Sequence, residues 1–377
     1  MKKHTIKKTL KIALYNLTTT TKAGGIESFN WGMAKALADR DYEVHIYGGQ
    51  GSVRGKTSDA VKIFLYPFLP RTSMPDIGSR FRKFIERLSF GLFTFKDLVK
   101  GGYDLIYIHK PFDLPVVLLA SRFSGAKVAF GSGGTEFFPG YRFLVNRADH
   151  FFACSNYNAD VIKEYCDVKP QVLYNGVDTK LFKPMSPDEG LKKRLKIKDD
   201  EKVILTACRL VGWKGVQYAI KSLSLLNRRH KIKYLIIGDG EFKTCLEQTV
   251  RDCSLQGVVT FLGYLPNKEL PGYYSITDIA VFPSIADETF GISIAEAMAC
   301  EVPVIATSVG GIPEVVAEET GVLVTPKNSK AIANAIEELL LDEGLRDRLG
   351  VKARNFVVKK FSWDKTVEKF EEYIGHV

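Results

Sequence analysis

Two glutamates eight positions apart, Glu288 and Glu296, have the side chains and the spacing expected of a site for a polar ligand. The run Asp278–Phe282 predicts a short buried strand, and the stretch from Ile292 to Cys300 predicts a helix. Unpaired N–H groups at the start of such a helix favour an anionic ligand. We therefore expect the two carboxylates to accept hydroxyls at opposite ends of one ligand, a nucleotide-linked carbohydrate whose phosphates rest between them. The alternative is a pair of solvated glutamates, which is the commoner fate of this residue type.

Two cations and a pair of glycines follow other predicted strands. Arg209 and Lys214 share one loop after the predicted strand Val203–Ala207, and two cations at the carboxyl end of a strand suit a diphosphate. In the first half of the chain, Gly24 and Gly25 open a predicted helix, where the missing side chains let backbone amides approach a ligand. Each feature has a simpler alternative, a solvated pair of cations and a tight turn respectively.

The composition is that of a globular protein, because 45% of the 377 residues are hydrophobic and 25% are charged. This length favours two domains over one. No apolar stretch approaches the roughly 18 residues that a membrane span requires. The lysine-rich start, from Lys2 to Lys11, is followed by an apolar run that suits a first strand better than a signal peptide. We therefore expect a cytoplasmic protein, either soluble or peripheral at the inner face of the membrane.

The cysteines and histidines give no sign of a metal site. The six cysteines contain no CxxC pair, and the six histidines show no spacing typical of metal ligands. The one Asp-x-Asp sequence, Asp39 to Asp41, falls in a predicted surface turn. We expect free thiols and neither a structural nor a catalytic metal.

The formal net charge of +10 admits nucleic acid, an anionic membrane surface or a phosphorylated substrate as the partner. Segment 79–100 is rich in basic residues, and apolar residues including Phe81, Phe84, Leu88 and Leu92 recur in it at helical spacing. A basic amphipathic helix of this kind either contacts a membrane reversibly or buries its apolar face in the domain core, and the pattern leaves both open. Nucleic acid is the weakest reading, because no recognition motif accompanies the basic residues.

Short β-like runs alternate with helical patterns through both halves of the chain. This alternation predicts α/β domains whose parallel sheets are covered by helices on both faces. The predicted strands are Ile12–Leu17, Glu43–Tyr47, Val61–Phe64, Leu105–Ile108, Lys127–Phe130, His150–Ala153 and Gln171–Tyr174, and then Val203–Ala207, Tyr234–Ile237, Val258–Phe261, Asp278–Phe282 and Val304–Ala306.

The polar segment Lys183–Glu201 separates the two series of strands. We therefore place one doubly wound domain at residues 1–182 and a second at 183–360. The last helical segment has no strand left to pair with, so residues 361–377 are expected to cross back onto the first domain. Because ligands of such sheets bind outside the carboxyl ends of the strands, the expected site is a cleft between two facing domains.

Several segments together resemble glycosyltransferase family 4, and the resemblance runs from about Ile12 to Trp363. Jointly these segments are specific, although no single one is. They comprise Arg209 with Lys214-Gly215, Ile237-Gly238-Asp239-Gly240, Phe261-Leu262-Gly263-Tyr264, Pro283-Ser284, Glu288 and Glu296 with Phe290-Gly291, and Pro303 to Ala306 through Gly310 to Glu314. Ser155 and the run Tyr174 to Asp178 with Phe182 resemble the family's segment between domains.

The resemblance implies the GT-B fold of two facing Rossmann-like domains, with a nucleotide-sugar donor held mainly by the second. It also implies retention of anomeric configuration and no metal. No cofactor is implied either, since the nucleotide-diphosphate sugar is a co-substrate. Arg209 and Lys214 would neutralise the diphosphate leaving group, a role that a metal fills in other transferases. Glu296 would accept the ribose hydroxyls and Glu288 the hydroxyls of the donor sugar. The other donor contacts that the resemblance implies are Phe290, Gly291 and Ile292, together with Gly25 of the first domain.

One loop departs from the family pattern. The family usually has a histidine after the strand that corresponds to Lys127–Phe130, and this chain has Gly131-Ser132-Gly133-Gly134-Thr135-Glu136 there. We expect this glycine-rich loop, Gly133 in particular, to offer backbone groups to the donor sugar. His109, at the end of a neighbouring predicted strand, is a second candidate for the missing contact, and a purely structural histidine is the alternative.

The expected function is that of a retaining, metal-independent glycosyltransferase of hexosyltransferase type. It would move a sugar from a nucleotide-diphosphate sugar to a hydroxyl of a glycolipid or a growing glycan. Two alternatives stay open. A GT-B sugar-nucleotide epimerase would need acid and base side chains around the donor sugar, and a non-catalytic nucleotide-sugar-binding protein would turn over no donor.

Overall fold

A computed structural model describes residues 10–22, 24–55, 57–76, 78–226, 229–286 and 288–375. The chain divides into two compact units. Unit 1 contains the described residues up to Gly176 and those from Trp363 onward, and unit 2 spans Val177–Ser362. Of the lysine-rich start, residues 2–9 lie outside the described residues, as does Ala23 in front of the glycine pair.

Unit 1 is built on a sheet of seven parallel strands in the order β3-β2-β1-β4-β5-β6-β7. The strands are β1 (Lys11–Tyr15), β2 (Glu43–Gly49), β3 (Lys62–Tyr66), β4 (Leu105–Ile108), β5 (Lys127–Ser132), β6 (His150–Ala153) and β7 (Gln171–Val172). The helices that follow them are α1 (Gly25–Ala38), α2 (Ser79–Lys100), α3 (Leu114–Ser124), α4 (Tyr141–Val145) and α5 (Asn156–Cys166).

Strand β1 lies near the centre of this sheet, paired in parallel with β2 and β4. Its side chains alternate between the two faces, because Ala13 and Tyr15 belong to one apolar cluster and Ile12 and Leu14 to another. A strand that is buried on both faces needs apolar residues at every position, which is why β1 appears in the sequence as a continuous apolar run.

Unit 2 contains a sheet of six parallel strands in the order β10-β9-β8-β11-β12-β13. These are β8 (Lys202–Ala207), β9 (Ile232–Ile237), β10 (Val259–Gly263), β11 (Ile279–Phe282), β12 (Val304–Thr307) and β13 (Val322–Val324). The helices are α6 (Glu189–Arg194), α7 (Val216–Ser224), α8 (Lys243–Asp252), α9 (Leu270–Tyr274), α10 (Ile292–Ala299), α11 (Ile312–Val315), α12 (Ser329–Leu341) and α13 (Glu343–Phe361). The twelve predicted strands are all present, with ends within two residues of the predicted ones, and among the described residues only the three-residue β13 was not predicted.

The segment Lys183–Glu201, which separated the two series of strands in the sequence, belongs to unit 2. It contains the short helix α6, whose first turn is capped by Asp188. The Asp188 carboxylate accepts a hydrogen bond of 2.9 Å from the backbone N–H of Leu191, and the Leu191 side chain is buried.

The final helix, α14 (Trp363–Ile374), packs in unit 1, as the sequence analysis predicted. The Trp363 ring lies against α1 at Gly32, where a Cβ would come within 2.1 Å of the indole. Arg40 donates to Glu371 at 2.7 Å and Tyr42 donates to the same carboxylate at 3.0 Å. Packing against α1 and two polar contacts therefore hold the end of the chain to the first unit.

Helix α2 buries its apolar face only in part, since Phe84, Leu88 and Phe95 are half-buried. The buried positions include Phe90, Gly91 and Leu98, whereas Phe81 is 51% exposed and Leu92 is 70% exposed. The cause is the close approach of α3, because a Cβ at Gly91 would lie 2.7 Å from a methyl group of Val116. No helix of the described ranges is both long and apolar enough to cross a membrane.

Candidate functional site

Two neighbouring strands of unit 2, β8 and β11, carry the predicted site residues beyond their carboxyl ends. Strands β8, β11 and β12 lie side by side and run parallel. Arg209 and Lys214 follow β8, and Glu288 lies in the loop between β11 and α10. Because the carboxyl ends of parallel strands share one edge, residues distant in sequence converge there.

Lys214 and Glu288 form an ion pair through the Lys214 ammonium and Oε2 of Glu288. Both side chains are mostly buried, and the ammonium also lies 4.6 Å from the centre of the Trp213 ring. The two residues are therefore direct partners in this structure. Arg209 is exposed at the end of β8 and makes no side-chain hydrogen bond or ion pair with the described residues.

Two glycines bring the loops of this ion pair together, and the sequence analysis gave neither of them a role. Gly215 has φ +68°, and a Cβ there would lie 1.9 Å from the carbonyl oxygen of Pro283. Gly310 has φ +57°, and a Cβ there would lie 2.3 Å from the carbonyl oxygen of Glu288. The Gly311 N–H donates to that same oxygen at 2.7 Å. Only glycine fits both the backbone conformation and the contact at these two positions.

Helix α10 begins beside Glu288, and its first turn has no side-chain cap. Gly291 precedes the helix with φ +91°. The Phe290 side chain is buried, with its ring 5.2 Å from the ring of Phe361, so any contact that Phe290 makes with a ligand comes from its backbone. The start of this helix, which includes Ile292, is therefore suited to an anionic group.

Glu296 lies one turn inside α10 and is 6% exposed. Burial raises the pKa of its carboxyl to about 8, because the charged form loses its water. The Asn267 amide donates a long hydrogen bond of 3.5 Å to its Oε1. No hydrogen bond or ion pair within the described part of the chain joins Glu296 to the pair formed by Lys214 and Glu288.

In unit 1 the predicted glycine positions lie close to one another. Gly25 opens α1, and a Cβ at Gly133 would lie 3.6 Å from the side chain of Ile26, the next residue of that helix. The turn before α1 is held by Thr18, which donates to Glu27 at 2.5 Å. The loop after β5 and the start of α1 are thus neighbours at the edge of the unit 1 sheet.

His109 is buried directly after β4. Its Nδ1 lies 3.2 Å from the carbonyl oxygen of Gly131, and its ring meets the rings of Phe29 and Tyr107 edge-on at about 5 Å. Burial lowers the pKa of His109 to about 3, so the imidazole is neutral near pH 7. Its Nε2 has no hydrogen-bond partner among the described residues. A neutral imidazole can donate to a ligand or accept from it, but it adds no charge to the site.

A charged cluster that the sequence analysis did not single out lies at the same edge of unit 1. Lys83 of α2 and Lys110 after β4 both contact the carboxylate of Glu136. Next to them, Arg87 and Asp113 form a buried ion pair of 2.6 Å. These residues are too far apart in sequence for spacing to reveal them, and Lys83 was hidden among the other bases of its helix.

Potential metal ligands do not converge anywhere in the described ranges, where no three His, Cys, Asp or Glu side chains come close enough to hold an ion. None of the six cysteines, all of which lie in the described ranges, forms a disulfide, and three of them, Cys154, Cys166 and Cys300, are buried.

Two family models match the chain, one for each half. The model described as Glycosyltransferase Family 4 matches residues 23–181. The model described as Glycosyl transferases group 1 matches residues 188–356, which include Arg209, Lys214, Glu288 and Glu296. The two matches together leave few described residues uncovered.

Two curated relatives share about a third of their aligned residues with this chain. The N-acetyl-alpha-D-glucosaminyl L-malate synthase of Bacillus anthracis is 32% identical over 236 residues, 61% of this chain and 60% of the relative. The GDP-mannose-dependent alpha-(1-6)-phosphatidylinositol monomannoside mannosyltransferase of Mycobacterium tuberculosis is 31% identical over 208 residues, 53% of this chain and 54% of the relative. These alignments therefore span little more than half the length of either relative.

A solved structure extends the likeness of the fold to nearly the whole chain. The sucrose-phosphate synthase from Thermosynechococcus elongatus superposes with a TM-score of 0.82 and 22% identity, covering 96% of this chain and 98% of that one. At this level of identity the likeness concerns the fold alone.

Proposed function

Because this chain belongs to glycosyltransferase family 4, with the two parallel-sheet units of the GT-B fold, we propose that it moves a sugar from a nucleotide-diphosphate sugar to an acceptor hydroxyl. The observation that carries the proposal is the meeting of Lys214 and Glu288 beside the uncapped start of α10, with Arg209 on the same loop as Lys214. These groups place two cations, one carboxylate and the N–H groups of a helix start at one edge of the sheet, beyond the carboxyl ends of its strands.

The donor binds at this edge by displacing Glu288 from Lys214. A diphosphate carries more negative charge than one carboxylate, so it takes the Lys214 ammonium from Glu288 and adds Arg209. Glu288 is then released to accept hydroxyls of the donor sugar, while the start of α10 supports the phosphate. Glu296, one turn further along α10, accepts the ribose hydroxyls.

The chemistry that follows is one of position and charge. The bond between the anomeric carbon and the diphosphate oxygen breaks, and a bond from the same carbon to the acceptor oxygen forms on the same face. The acceptor proton passes to an oxygen of the departing diphosphate, so no side-chain base is needed. Arg209 and Lys214 stabilise the charge that develops on that leaving group, so a metal is not required. Addition of EDTA should therefore leave the rate unchanged.

The acceptor is proposed to be a glycolipid or a growing glycan, and the transferred sugar a hexose. Support comes from the names of relatives, one of which is a mannosyltransferase that acts on a phosphatidylinositol monomannoside and depends on GDP-mannose. We propose the cytoplasm, at the inner face of the membrane, as the place of action.

Substitution of Glu288 tests the proposal. In Glu288→Ala, transfer should fall by about a hundredfold or more, the usual cost of one group that contacts the reacting centre. Binding of the nucleoside diphosphate should persist, because Lys214 no longer has a competing carboxylate. Glu319→Ala is the matched control, since Glu319 also pairs with a lysine of unit 2, Lys352 at 3.0 Å, but on the surface. Transfer near the wild-type rate in Glu288→Ala would sink the assigned role.

Incubation of donor without acceptor separates transfer from the two other functions. Slow hydrolysis of the donor, with no isomerised sugar, is the expected outcome. Release of an isomerised nucleotide sugar would identify an epimerase instead. No turnover of any donor, with or without acceptor, would identify a binding protein.

Helices α2 and α3 are proposed to contact an anionic membrane surface reversibly. Leu92 and Phe93 of α2 are exposed, as are Leu119 and Phe123 of α3, and the rings of Phe95 and Phe123 are in contact at 6.2 Å, which joins the two helices. The exposed bases on these helices include Arg80, Lys96, Lys100 and Arg122. Apolar side chains beside basic ones suit the boundary between lipid headgroups and acyl chains.

Sedimentation with vesicles of phosphatidylglycerol and phosphatidylcholine tests this contact. The wild-type chain should sediment with the vesicles at low salt and be released at high salt, because the attraction is partly electrostatic. The double variant Leu92→Gln with Phe123→Gln should stay in the supernatant. Val351→Gln, a change at an exposed apolar residue of unit 2, is the control. Equal sedimentation of the double variant and the wild type would rule out these helices.

A further inference from the structure

We infer that unit 1 binds a phosphate group of the acceptor between the ammonium groups of Lys83 and Lys110. Lys83 lies on α2 and Lys110 lies two residues after β4, and both reach the carboxylate of Glu136. That the phosphate belongs to an acceptor rests on the proposed function, whereas the site itself rests on the geometry of unit 1.

Glu136 shows how an anion is held at this place. Lys83 Nζ lies 2.5 Å from Oε1 and 2.6 Å from Oε2, and Lys110 Nζ lies 3.6 Å from Oε2. One carboxylate is therefore shared by two ammonium groups, which leaves one positive charge in excess. A phosphate has more oxygens and up to two negative charges, so it satisfies both ammonium groups more fully than Glu136 does.

Burial makes the two lysines more receptive to an anion than surface lysines are. The side chains of Lys83 and Lys110 are 16% and 21% exposed, whereas that of Glu136 is 47% exposed. Burial lowers the pKa of Lys83 even though Glu136 is bonded to it, because the ammonium has lost water that one shared carboxylate does not replace. Glu136 lies in the loop between β5 and α4, so it is the member of this trio best placed to turn aside.

The loop that carries Glu136 leaves room beside its backbone. A Cβ at Gly134 would meet no atom of the described residues within 4 Å, and one at Gly133 would reach only Ile26, at 3.6 Å. Neither glycine has a positive φ. The fold therefore does not require glycine at these positions, and close approach of a ligand to the backbone supplies a reason for it.

A buried ion pair fixes the positions of the two lysines. Arg87 of α2 bonds Asp113 at 2.6 Å, and Asp113 ends the short turn that follows Lys110. Arg87 also donates to Asn16, at the end of β1, at 3.1 Å. The helix that carries Lys83 and the segment that carries Lys110 are thus tied to each other and to the sheet, so the two ammonium groups are held in place before a phosphate arrives.

Calorimetric titration of the full chain tests the site. The double variant Arg209→Ala with Lys214→Ala serves as the background, because it removes the diphosphate site of unit 2. Two probes are used at constant ionic strength, glycerol 3-phosphate as a phosphomonoester and glycerophosphoglycerol as the phosphodiester of a lipid headgroup without its acyl chains. We expect saturable binding of at least one probe. Preference for the phosphomonoester indicates a soluble phosphorylated acceptor, and preference for the phosphodiester indicates a lipid one.

Substitutions within the trio give effects of opposite sign. Lys83→Gln and Lys110→Gln should each weaken the preferred probe by about tenfold, because each removes one charge-assisted contact. Glu136→Gln should strengthen binding by about fivefold, because the probe no longer competes with the Glu136 carboxylate for the two lysines. The effect is modest because an ion pair with a half-exposed carboxylate is weak. Lys169→Gln is the matched control, because Lys169 forms an exposed pair with Asp160 in the same unit, at 2.8 Å, and it should change nothing.

Three outcomes would overturn the site: no saturable binding of either probe, lysine variants that bind as tightly as the background, or weaker binding in Glu136→Gln. Thermal melting of each variant checks its fold, and if Lys83→Gln does not fold, Lys110→Gln and Glu136→Gln decide. Donor hydrolysis by water needs only the donor site. A chain that hydrolyses donor but binds neither probe therefore refutes this site alone, and one that binds the probes as expected but turns over no donor refutes the proposed function alone.

Discussion

Glycines beyond the carboxyl ends of the strands have different roles in the two units. In unit 2, Gly215 and Gly310 have positive φ, and a Cβ on either would lie within 2.3 Å of a backbone carbonyl oxygen. In unit 1, Gly133 and Gly134 have ordinary φ, and their Cβ positions are open or in loose contact with one side chain. Gly215 and Gly310 are needed by the protein's own backbone, whereas Gly133 and Gly134 leave room for a group that approaches from outside.

The charges at the two edges differ in the same way. In unit 2, Lys214 and Glu288 satisfy each other one to one. In unit 1, Lys83 and Lys110 share Glu136. A ligand of unit 2 therefore displaces Glu288 from Lys214 and meets Arg209 as a separate, exposed cation. A ligand of unit 1 instead meets two lysines that already share one carboxylate.

The largest loss of stability is expected from a substitution at Gly215, and its absence would contradict this comparison. Gly215→Ala places a Cβ against the carbonyl oxygen of Pro283 in a left-handed backbone conformation. We expect the free energy of unfolding to fall by about 3 kcal/mol, the sum of a backbone cost and an overpacking cost. Urea unfolding monitored by circular dichroism measures it. A loss below about 1 kcal/mol would show that this edge yields more easily than the structure suggests.

A smaller effect, dependent on pH, is expected at Glu296. An unfolded glutamate ionises near pH 4.5, whereas burial raises the pKa of Glu296 to about 8 in the folded chain. As the pH rises between these values, the unfolded state gives up a proton that the folded state keeps, so the free energy of unfolding falls by up to about 1.4 kcal/mol for each pH unit.

Glu296→Gln removes this ionisation from both states. The variant should therefore gain stability over the wild type by about 2 to 4 kcal/mol between pH 5 and pH 8, as measured by urea unfolding at each pH. Glu319→Gln, at an exposed glutamate of the same unit, should track the wild type. A Glu296→Gln curve parallel to that of the wild type would mean that the carboxyl is already ionised near neutral pH.

The smallest effect on stability is expected at Gly134. A Cβ in open space costs the fold little, so Gly134→Ala should change the free energy of unfolding by less than about 0.5 kcal/mol. Gly131→Ala, near the end of strand β5 just before this loop, is the contrasting variant, because its Cβ would lie 2.1 Å from the Tyr107 hydroxyl. Thermal melting of both variants measures the difference, and an equal fall in melting temperature in the two would contradict the comparison.

Most of the fold was predictable because its strands are continuous apolar runs bounded by polar turns. The predicted bounds of β4 and β6, Leu105–Ile108 and His150–Ala153, are those observed. Strand β13 was missed because it has only three residues, and one of them, Leu323, is exposed. The sequence left open whether the apolar face of α2 is buried, and packing against α3 buries the stripe that contains Gly91.

The sequence by itself determined which residues carry charge at each strand end and which strands they follow, because local apolar patterns and turn residues act over short stretches of chain. The tertiary structure alone decided their partners. Lys214 and Glu288 are 74 positions apart, and Lys83 and Glu136 are 53 apart. It also decided that Glu296 keeps its proton to about pH 8, since desolvation depends on everything packed around a carboxyl rather than on its neighbours in the chain.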